Sequence, residues 1–304
     1  MNDFVQNTIF RLTVPHSRRA IPRLRLRPRP APCAADARFL LPRDDRDIKI
    51  VVFDEADNMW AHDGHQADSV HVLKTLGAAK VSVQVLLFSA TFSDAVRRVA
   101  EKVVGPTANK VFVPREKLSL DVIKQFRVEC ANVAAKEEVL SEMILKSVEK
   151  LGQTIVFVHT RARALELHTK LHNKGWPCTS ISGGPQHDHA TRDRVIKEFR
   201  DGTTKILIAT DVLSRGFDHA SVTLVVNFDP PMTHDGKPEP ETYMHRIGRS
   251  GRFGRPGAAF NLISTPQERA VVDAIAAHFK HDIPAVPPND LDRFEEVLKQ
   301  AGLA

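Results

Sequence analysis

Five apolar runs, Thr154–Val158, Cys178–Ser182, Lys205–Thr210, Val222–Asp229 and Ala258–Ser264, alternate with stretches of helical spacing. Strands that are apolar on both faces need cover on both, and helices threaded between them supply it. The alternation therefore predicts an α/β chain built on a doubly wound parallel sheet. Ala164, Leu167 and Leu171 mark the inward face of one connecting helix, and a second lies near 190–200. The block opens with Gln125–Ala131 and a helix over 136–150, where Val139, Leu140, Met143, Ile144 and Val148 share one face. Thr265-Pro266-Gln267-Glu268 reads as a capping box with proline at the first helical position, opening a helix through Val271, Ile275 and Phe279. Residues 126–304 thus hold enough strands for one complete C-terminal domain.

An earlier block, 48–113, has the same texture but only three strands: Ile48–Asp54, Val85–Phe88 and Lys110–Val113. A helix over 65–77 and another from an N-cap at Ser93 to about Val104 accompany them. Three strands are thin for a buried parallel sheet, so this block is read as a partial domain. Residues 114–125, polar and opening on Pro114, are read as a linker. Residues 1–47 are read as a disordered tail, because seven Arg in the first thirty positions are interleaved with Pro22, Pro28 and Pro30 and offset by Asp3 alone. A basic arm for RNA and a transit-type leader are alternatives for it, the prolines arguing against the amphipathic helix of the latter.

Composition enters as a set of exclusions. The net charge of +6 permits a polyanionic partner, but much of the excess sits in the tail, so an RNA face on the body would have to be a local patch. Cys33, Cys130 and Cys178 are odd in number and far apart, which argues against a disulfide framework or zinc ribbon and fits a reducing compartment. No run of eighteen apolar residues is present, so no membrane span is expected. His62/His65, His168/His172 and His187/His189 lack a third and fourth ligand at a recognised spacing and are read as surface pairs, not as a metal centre.

Chemistry gathers at strand ends. Asp54-Glu55-Ala56-Asp57 follows the run Ile48–Phe53, placing carboxylates at the edge where ligands of open α/β sheets bind. Such a pair suits a magnesium–nucleotide site, one acid holding Mg²⁺ through water and the next orienting an attacking water. Ser89-Ala90-Thr91 closes the next strand, with two hydroxyls that could bond Asp57; a simple strand-end cap is the plainer reading. Thr210 and Asp211 end another strand and lead to Gly216, which permits close backbone approach, and Asp218, which could accept from ribose hydroxyls. In His245-Arg246-Ile247-Gly248-Arg249-Ser250-Gly251-Arg252, arginines three apart could converge on one anion, and guanidinium is the group suited to a transferring phosphate; a glycine-rich surface loop is the alternative.

DEAD, SAT, ATDVLSRGFD and HRIGRSGR, in this order and spacing, resemble motifs II, III, V and VI of the DEAD-box ATP-dependent RNA helicases over residues 48 to about 280. Within that family DEADNMW, DPPMTHDGKPEPE and YMHRIGRSGRFGRPGAAFNLI resemble the nuclear-pore-associated mRNA-export type, with translation-initiation helicases as the nearer alternative. The resemblance implies two RecA-like domains that clamp ATP and RNA, single-stranded or from a duplex to be remodelled. It makes Asp54 (through Mg²⁺), Glu55, Arg249 and Arg252 catalytic. It gives Asp57, Ser89, Thr91 and His245 a coupling role, Gly216 and Asp218 to ATP, and Arg161, Gly183, Arg192 and Thr210 to the RNA backbone. It also implies export or translation factors as partners and a cytoplasmic or nuclear location, including association with the nuclear envelope. The stretch SGGPQHDHATRDR is about two residues longer than the family pattern between Gly183 and Arg192.

The family's phosphate loop, G-x-x-x-x-G-K-[ST], has no match in residues 1–53. Its backbone N–H groups and lysine position the phosphates, and positioning is nearly all of the catalysis in phosphoryl transfer. The expectation is a family member truncated at its N-terminus that alone hydrolyses ATP poorly, with a non-catalytic RNA- or partner-binding fragment as the alternative.

Overall fold

The computed structural model describes residues 9–11, 48–61, 63–78, 83–89, 94–105, 107–111, 122–148, 152–182, 189–211, 217, 219–251 and 255–303. The chain divides into two compact units, Met1–Pro114 and Arg115–Ala304.

In the first unit β1 (Ile9–Arg11), β2 (Ile50–Phe53), β3 (Gln84–Leu87) and β4 (Asn109–Val111) form one sheet in the order β2-β3-β1-β4. β2 and β3 are parallel, with Phe53 opposite Leu87, so both strands end at the same edge. Helices α1 (Ala56–Ala61), α2 (Asp63–Ala78) and α3 (Asp94–Val104) complete the unit. Phe53, Trp60, Val85, Leu87, Val96, Ala100 and Val104 are its core, with the Phe53 and Trp60 rings 5.6 Å apart. α3 shows why: Val96, Ala100 and Val104 recur at one-turn spacing and are buried, while Arg97, Arg98, Glu101 and Lys102 are exposed. One departure concerns β1, which falls in the stretch read as a disordered tail. It pairs antiparallel with both β3 and β4, which makes the sheet four-stranded and mixed. Its short Ile-Phe core suits a strand, and the count of Arg and Pro around it concealed that. The rest of residues 1–47 lies outside the described residues.

The second unit is the doubly wound domain. β5 (Ile123–Glu129), β6 (Gln153–Phe157), β7 (Cys178–Ile181), β8 (Ile206–Ala209), β9 (Val222–Asn227), β10 (Gly257–Ile263) and β11 (Ala285–Val286) run parallel in the order β11-β5-β10-β9-β6-β8-β7. Every residue of β6, β8 and β10 is buried, as strands covered on both faces must be. One face is covered by α4 (Val133–Glu138), the π-helical turn Val139–Ile144, α5 (Leu145–Val148), α6 (Arg161–Asn173) and α10 (Leu291–Gln300), through Leu140, Ile144, Leu167, Leu171, Phe294 and Val297. The other is covered by α7 (His189–Arg200), α8 (Pro240–Ile247) and α9 (Pro266–Phe279), through Phe199, Tyr243, Ile247, Val271 and Ile275.

Several boundaries differ from the sequence reading. β5 begins at Ile123, inside the stretch read as linker, because Ile123 is a buried core residue of the sheet. The helix expected from 136 starts at Val133, its N-terminus capped by the Asn132 side chain accepting from the Ala135 N–H. The capping box at Thr265 and Glu268 is formed as read. α10 and β11 were missed. Asp290, which accepts from the Arg293 N–H, followed by Phe294, Val297 and Leu298 on one buried face, is the cap-and-stripe signal that marks α10.

Candidate functional site

At the end of β2 the chain must turn from strand to helix within two residues. Glu55 makes the turn with φ of +54°, a left-handed conformation that costs a non-glycine residue roughly 1 kcal/mol and persists only where neighbours fix it. The neighbours are on β3 and just beyond it: Phe88 N–H donates to the Phe53 carbonyl at 2.8 Å, and Ala56 N–H donates to the Phe88 carbonyl at 3.0 Å. Asp54 is left exposed, one carboxylate oxygen accepting from the Glu55 N–H at 3.0 Å. Asp57 points inward and is buried. Ser89 Oγ donates to its Oδ1 at 2.6 Å and accepts the Asp57 N–H at 3.3 Å. The two acids of the turn therefore differ sharply in environment. One faces water at the sheet's carboxyl edge, and the other is tied to the next strand.

In the second unit the corresponding edge is organised by Arg246. The glycine-rich surface loop that stood as the alternative for this stretch does not form at Arg246, because the glycines begin only at Gly248. Pro240 at the first helical position and the Tyr243/Ile247 apolar face instead make residues 240–247 a helix, α8, and Arg246 projects from its last turn into the interior. A buried guanidinium must find acceptors for its donors, and four hydrogen bonds hold this one. Nε and Nη2 grip Asp211, at the end of β8, in a fork at 2.6 and 2.9 Å. Nη1 donates to Asn227 Oδ1 at 3.2 Å and to the Asp229 carbonyl at 2.7 Å, and the plane lies 5.1 Å from the Phe157 ring centre. From Asn227 a line of buried polar groups crosses the sheet. Asn227 Nδ2 donates to Asn261 Oδ1 (2.8 Å), Asn261 Nδ2 donates to the Tyr243 hydroxyl (3.2 Å), and that hydroxyl donates to Gln125 Oε1 (2.8 Å). Burial pushes the Tyr243 phenol far above its ordinary range, so it stays a neutral donor.

Arg249, one helical turn beyond His245, is buried. Its Nε donates to the His245 carbonyl at 2.9 Å and its Nη1 to the Phe217 carbonyl. His245 and Ser250, its neighbours in sequence, are buried, and so is Thr210, whose N–H extends the β7–β8 ladder to the Ile181 carbonyl at 3.3 Å. Beyond Arg249 the chain loops back, and the loop is pinched at its base. A Cβ on Gly257 would lie 2.5 Å from the Gly251 nitrogen and 2.9 Å from its Cα, and backbone cannot move aside. Gly257→Ala is expected to destabilise the second unit by about 1–3 kcal/mol, as overpacking does; an unchanged urea midpoint would contradict the close approach.

Elsewhere, Arg161 is exposed at the first position of α6, whose N-cap Thr160 accepts from the Arg163 N–H at 3.1 Å, and Arg192 is half-buried on α7. Within the second unit, Asp211, Arg246 and Arg249 are tied to one another through the end of α8; within the first, Asp57 and Ser89 are paired. Thr91, Gly183, Gly216, Asp218 and Arg252 lie outside the described residues. Sequence reasoning missed Asn227, Asn261, Tyr243 and Lys136. The signal was there for Asn261, a lone polar residue inside an otherwise apolar strand, and Asn227 closes a neighbouring apolar strand; such buried positions are occupied where a partner is waiting. His168 and His172 stack at 6.1 Å on α6. No helix of the described residues is long and apolar enough to cross a membrane.

Comparison with known proteins places two family descriptions on these units. "DEAD/DEAH box helicase" matches residues 37–99, and "Helicase conserved C-terminal domain" matches residues 135–254. The rice protein DEAD-box ATP-dependent RNA helicase 38 is 42% identical over 260 residues, covering 84% of this chain and 51% of the relative. ATP-dependent RNA helicase DBP5 of Meyerozyma guilliermondii is 41% identical over 254 residues, covering 83% and 51%. The chain therefore spans about half the length of the curated relatives it matches. Among solved structures, S. cerevisiae Dbp5 bound to RNA and ADP BeF3 matches with a TM-score of 0.76 at 39% identity, over 84% of this chain and 64% of that one. The structure of the C-terminal domain of the DEAD-box protein Dbp5 matches with a TM-score of 0.54 at 38% identity, over 60% of this chain and 99% of that one.

Proposed function

The chain belongs to the DEAD-box family of RNA helicases, and from that premise we propose that it serves ATP-dependent RNA binding and remodelling of the mRNA-export type. The observation that carries the reading is the Asp211–Arg246 fork, which fixes the end of α8, two residues before Arg249. Arginine there is the group that stabilises charge on a transferring phosphoryl. Arg252 is its proposed companion, Gly216 and Asp218 the nucleotide contacts, and Arg161, Gly183, Arg192 and Thr210 the RNA-backbone contacts. In the first unit, Asp54 and Glu55 are the proposed acids for magnesium and water, with Asp57, Ser89 and Thr91 coupling them to RNA, as His245 does from the second.

Magnesium suits Asp54: the carboxylate is exposed, and it has lone pairs beyond the one the Glu55 N–H engages. When bound, the ion would neutralise phosphate charge. Asp54 would hold it through water, and Glu55, turned by its left-handed backbone, would orient the attacking water. Location at the nuclear envelope, or between nucleus and cytoplasm, follows from the export reading. So do partners of the kind seen with S. cerevisiae Dbp5, which has been solved bound to Gle1 and IP6 and to Nup159.

The test is phosphate release by the chain with and without single-stranded RNA, alongside RNA binding by fluorescence anisotropy. Slow RNA-dependent release that falls to background in Arg249→Ala is the expected result. RNA binding with no release by either protein would instead establish a non-catalytic RNA-binding module.

A further inference from the structure

Three consecutive carbonyls at the end of β9 are each taken by a side chain from a different element. Lys136 Nζ, from α4, donates to the Phe228 carbonyl at 2.9 Å. Arg246 Nη1, from α8, donates to the Asp229 carbonyl at 2.7 Å. His159 Nε2, from the turn between β6 and α6, lies 2.7 Å from the Pro230 carbonyl. A carbonyl can only accept, so that ring nitrogen carries the proton whether the imidazole is neutral or charged. Strand ends ordinarily leave such carbonyls to water. Here Phe228 and Pro230 are buried, and the corner is braced from three sides.

His159 holds the corner twice. Its backbone N–H donates to Asp229 Oδ2 at 2.9 Å, and its ring reaches Pro230 one residue further. Two bonds at different distances from the Cα fix both the position and the rotation of the residue, where one would leave a pivot. The next residue, Thr160, caps α6 through Arg163 N–H, and the one after is Arg161. The direction in which Arg161 leaves the fold is thus set by what His159 grips. His159 stands outside the Asp211–Arg246 fork.

We propose that His159 is a positioning residue for RNA binding, clamping the Thr160–Arg161 turn onto the Phe228–Pro230 corner that Arg246 also holds through the Asp229 carbonyl. The inference rests on the reading above that Arg161 contacts RNA. It makes His159 act through Arg161 and not on RNA itself. It also gives the RNA-facing turn and the arginine helix one shared footing within the second unit.

The experiment is titration of the full chain into fluorescein-labelled oligouridine at fixed low salt, followed by anisotropy, since such binding is strongly salt-dependent. His159→Ala removes one hydrogen bond and leaves the Pro230 carbonyl unpaired, and is expected to weaken RNA binding about fivefold. His159→Leu, which fills the space without a donor, should lose as much. His159→Gln, which restores an N–H of similar reach, should return to within about twofold of wild type, and thermal midpoints should stay together across the set. In an Arg161→Ala background, His159→Ala should cost nothing further, because two residues acting as one unit are not additive. Undiminished binding by His159→Ala and His159→Leu, failure of His159→Gln to rescue, or a full further loss in the Arg161→Ala background would each overturn the proposal while leaving the helicase reading intact. Absence of RNA binding by the wild-type chain would overturn that reading, and this inference with it.

Discussion

Arg246→Ala is expected to lower the thermal midpoint of the second unit by roughly 10 °C. Deleting the guanidinium leaves the Asn227 amide oxygen and the Asp229 carbonyl without their buried donor, and strands Asp211. Asp211 is 43% exposed, so solvent screens much of the Coulombic loss, and the larger part of the cost is the unpaired interior. Each buried acceptor left without a donor costs about 1–3 kcal/mol, and about 2–4 °C per kcal/mol holds for a domain of this size. Arg246→Lys should recover only a fraction, because an ammonium offers a point charge where the site is built for a planar fork. Scanning calorimetry reads both, and a shift under about 2 °C for the alanine variant would show that the fork is ornamental to stability.

Lys136 gives the second large effect, and a more discriminating one. Its side chain is 1% exposed and donates to Glu268 at 2.6 Å as well as to the Phe228 carbonyl. Glu268 is at the same time the capping-box residue of α9, accepting from Ser264 and Thr265. Lys136→Ala removes the cation, empties its space and leaves a carboxylate with 13% exposure facing the gap, for a loss of about 3 kcal/mol in urea unfolding. Lys136→Met with Glu268→Gln keeps the volume, keeps acceptors for the cap and removes both charges together. It should regain most of that loss, since a buried ion pair replaced as a pair is often nearly neutral. If the double variant is no more stable than Lys136→Ala, the burden lies on the Phe228 carbonyl and not on the ion pair.

How far these features could be read beforehand varied with their physics. Strands such as Val222–Asn227 and Gly257–Ile263 announce themselves because burial on both faces leaves almost no polar residue in them. The box at Thr265 and the stripe of α3 are equally local, the first written in a single turn of chain and the second within one helix. The order of seven strands, by contrast, is decided by which apolar faces meet, and no single stretch encodes it. Site residues divided in the same way. Asp54, Ser89 and Arg249 stand in recognisable motifs. The partnership of Arg246 with Asp211, 35 residues upstream, and of Lys136 with Glu268, 132 residues downstream, depends on tertiary packing alone. Arg246 was visible as a letter and invisible as a structural element, because its helix was hidden by the glycines that follow it.

The buried line from Arg246 through Asn227, Asn261 and Tyr243 to Gln125 has a consequence in the statistics of its protons. A chain of hydroxyls usually has two senses of donation and exchanges between them as water does in ice, and an amide in it can follow by turning end for end. Here the head is a guanidinium, which has only protons to give, and the tail is an amide oxygen, which has none. A single arrangement survives, so the line carries no residual proton entropy. Nor can it relay a proton, because its head has no lone pair with which to receive one. What crosses the sheet is a fixed dipole, insulated from the pH of the surroundings and aligned the same way in every molecule.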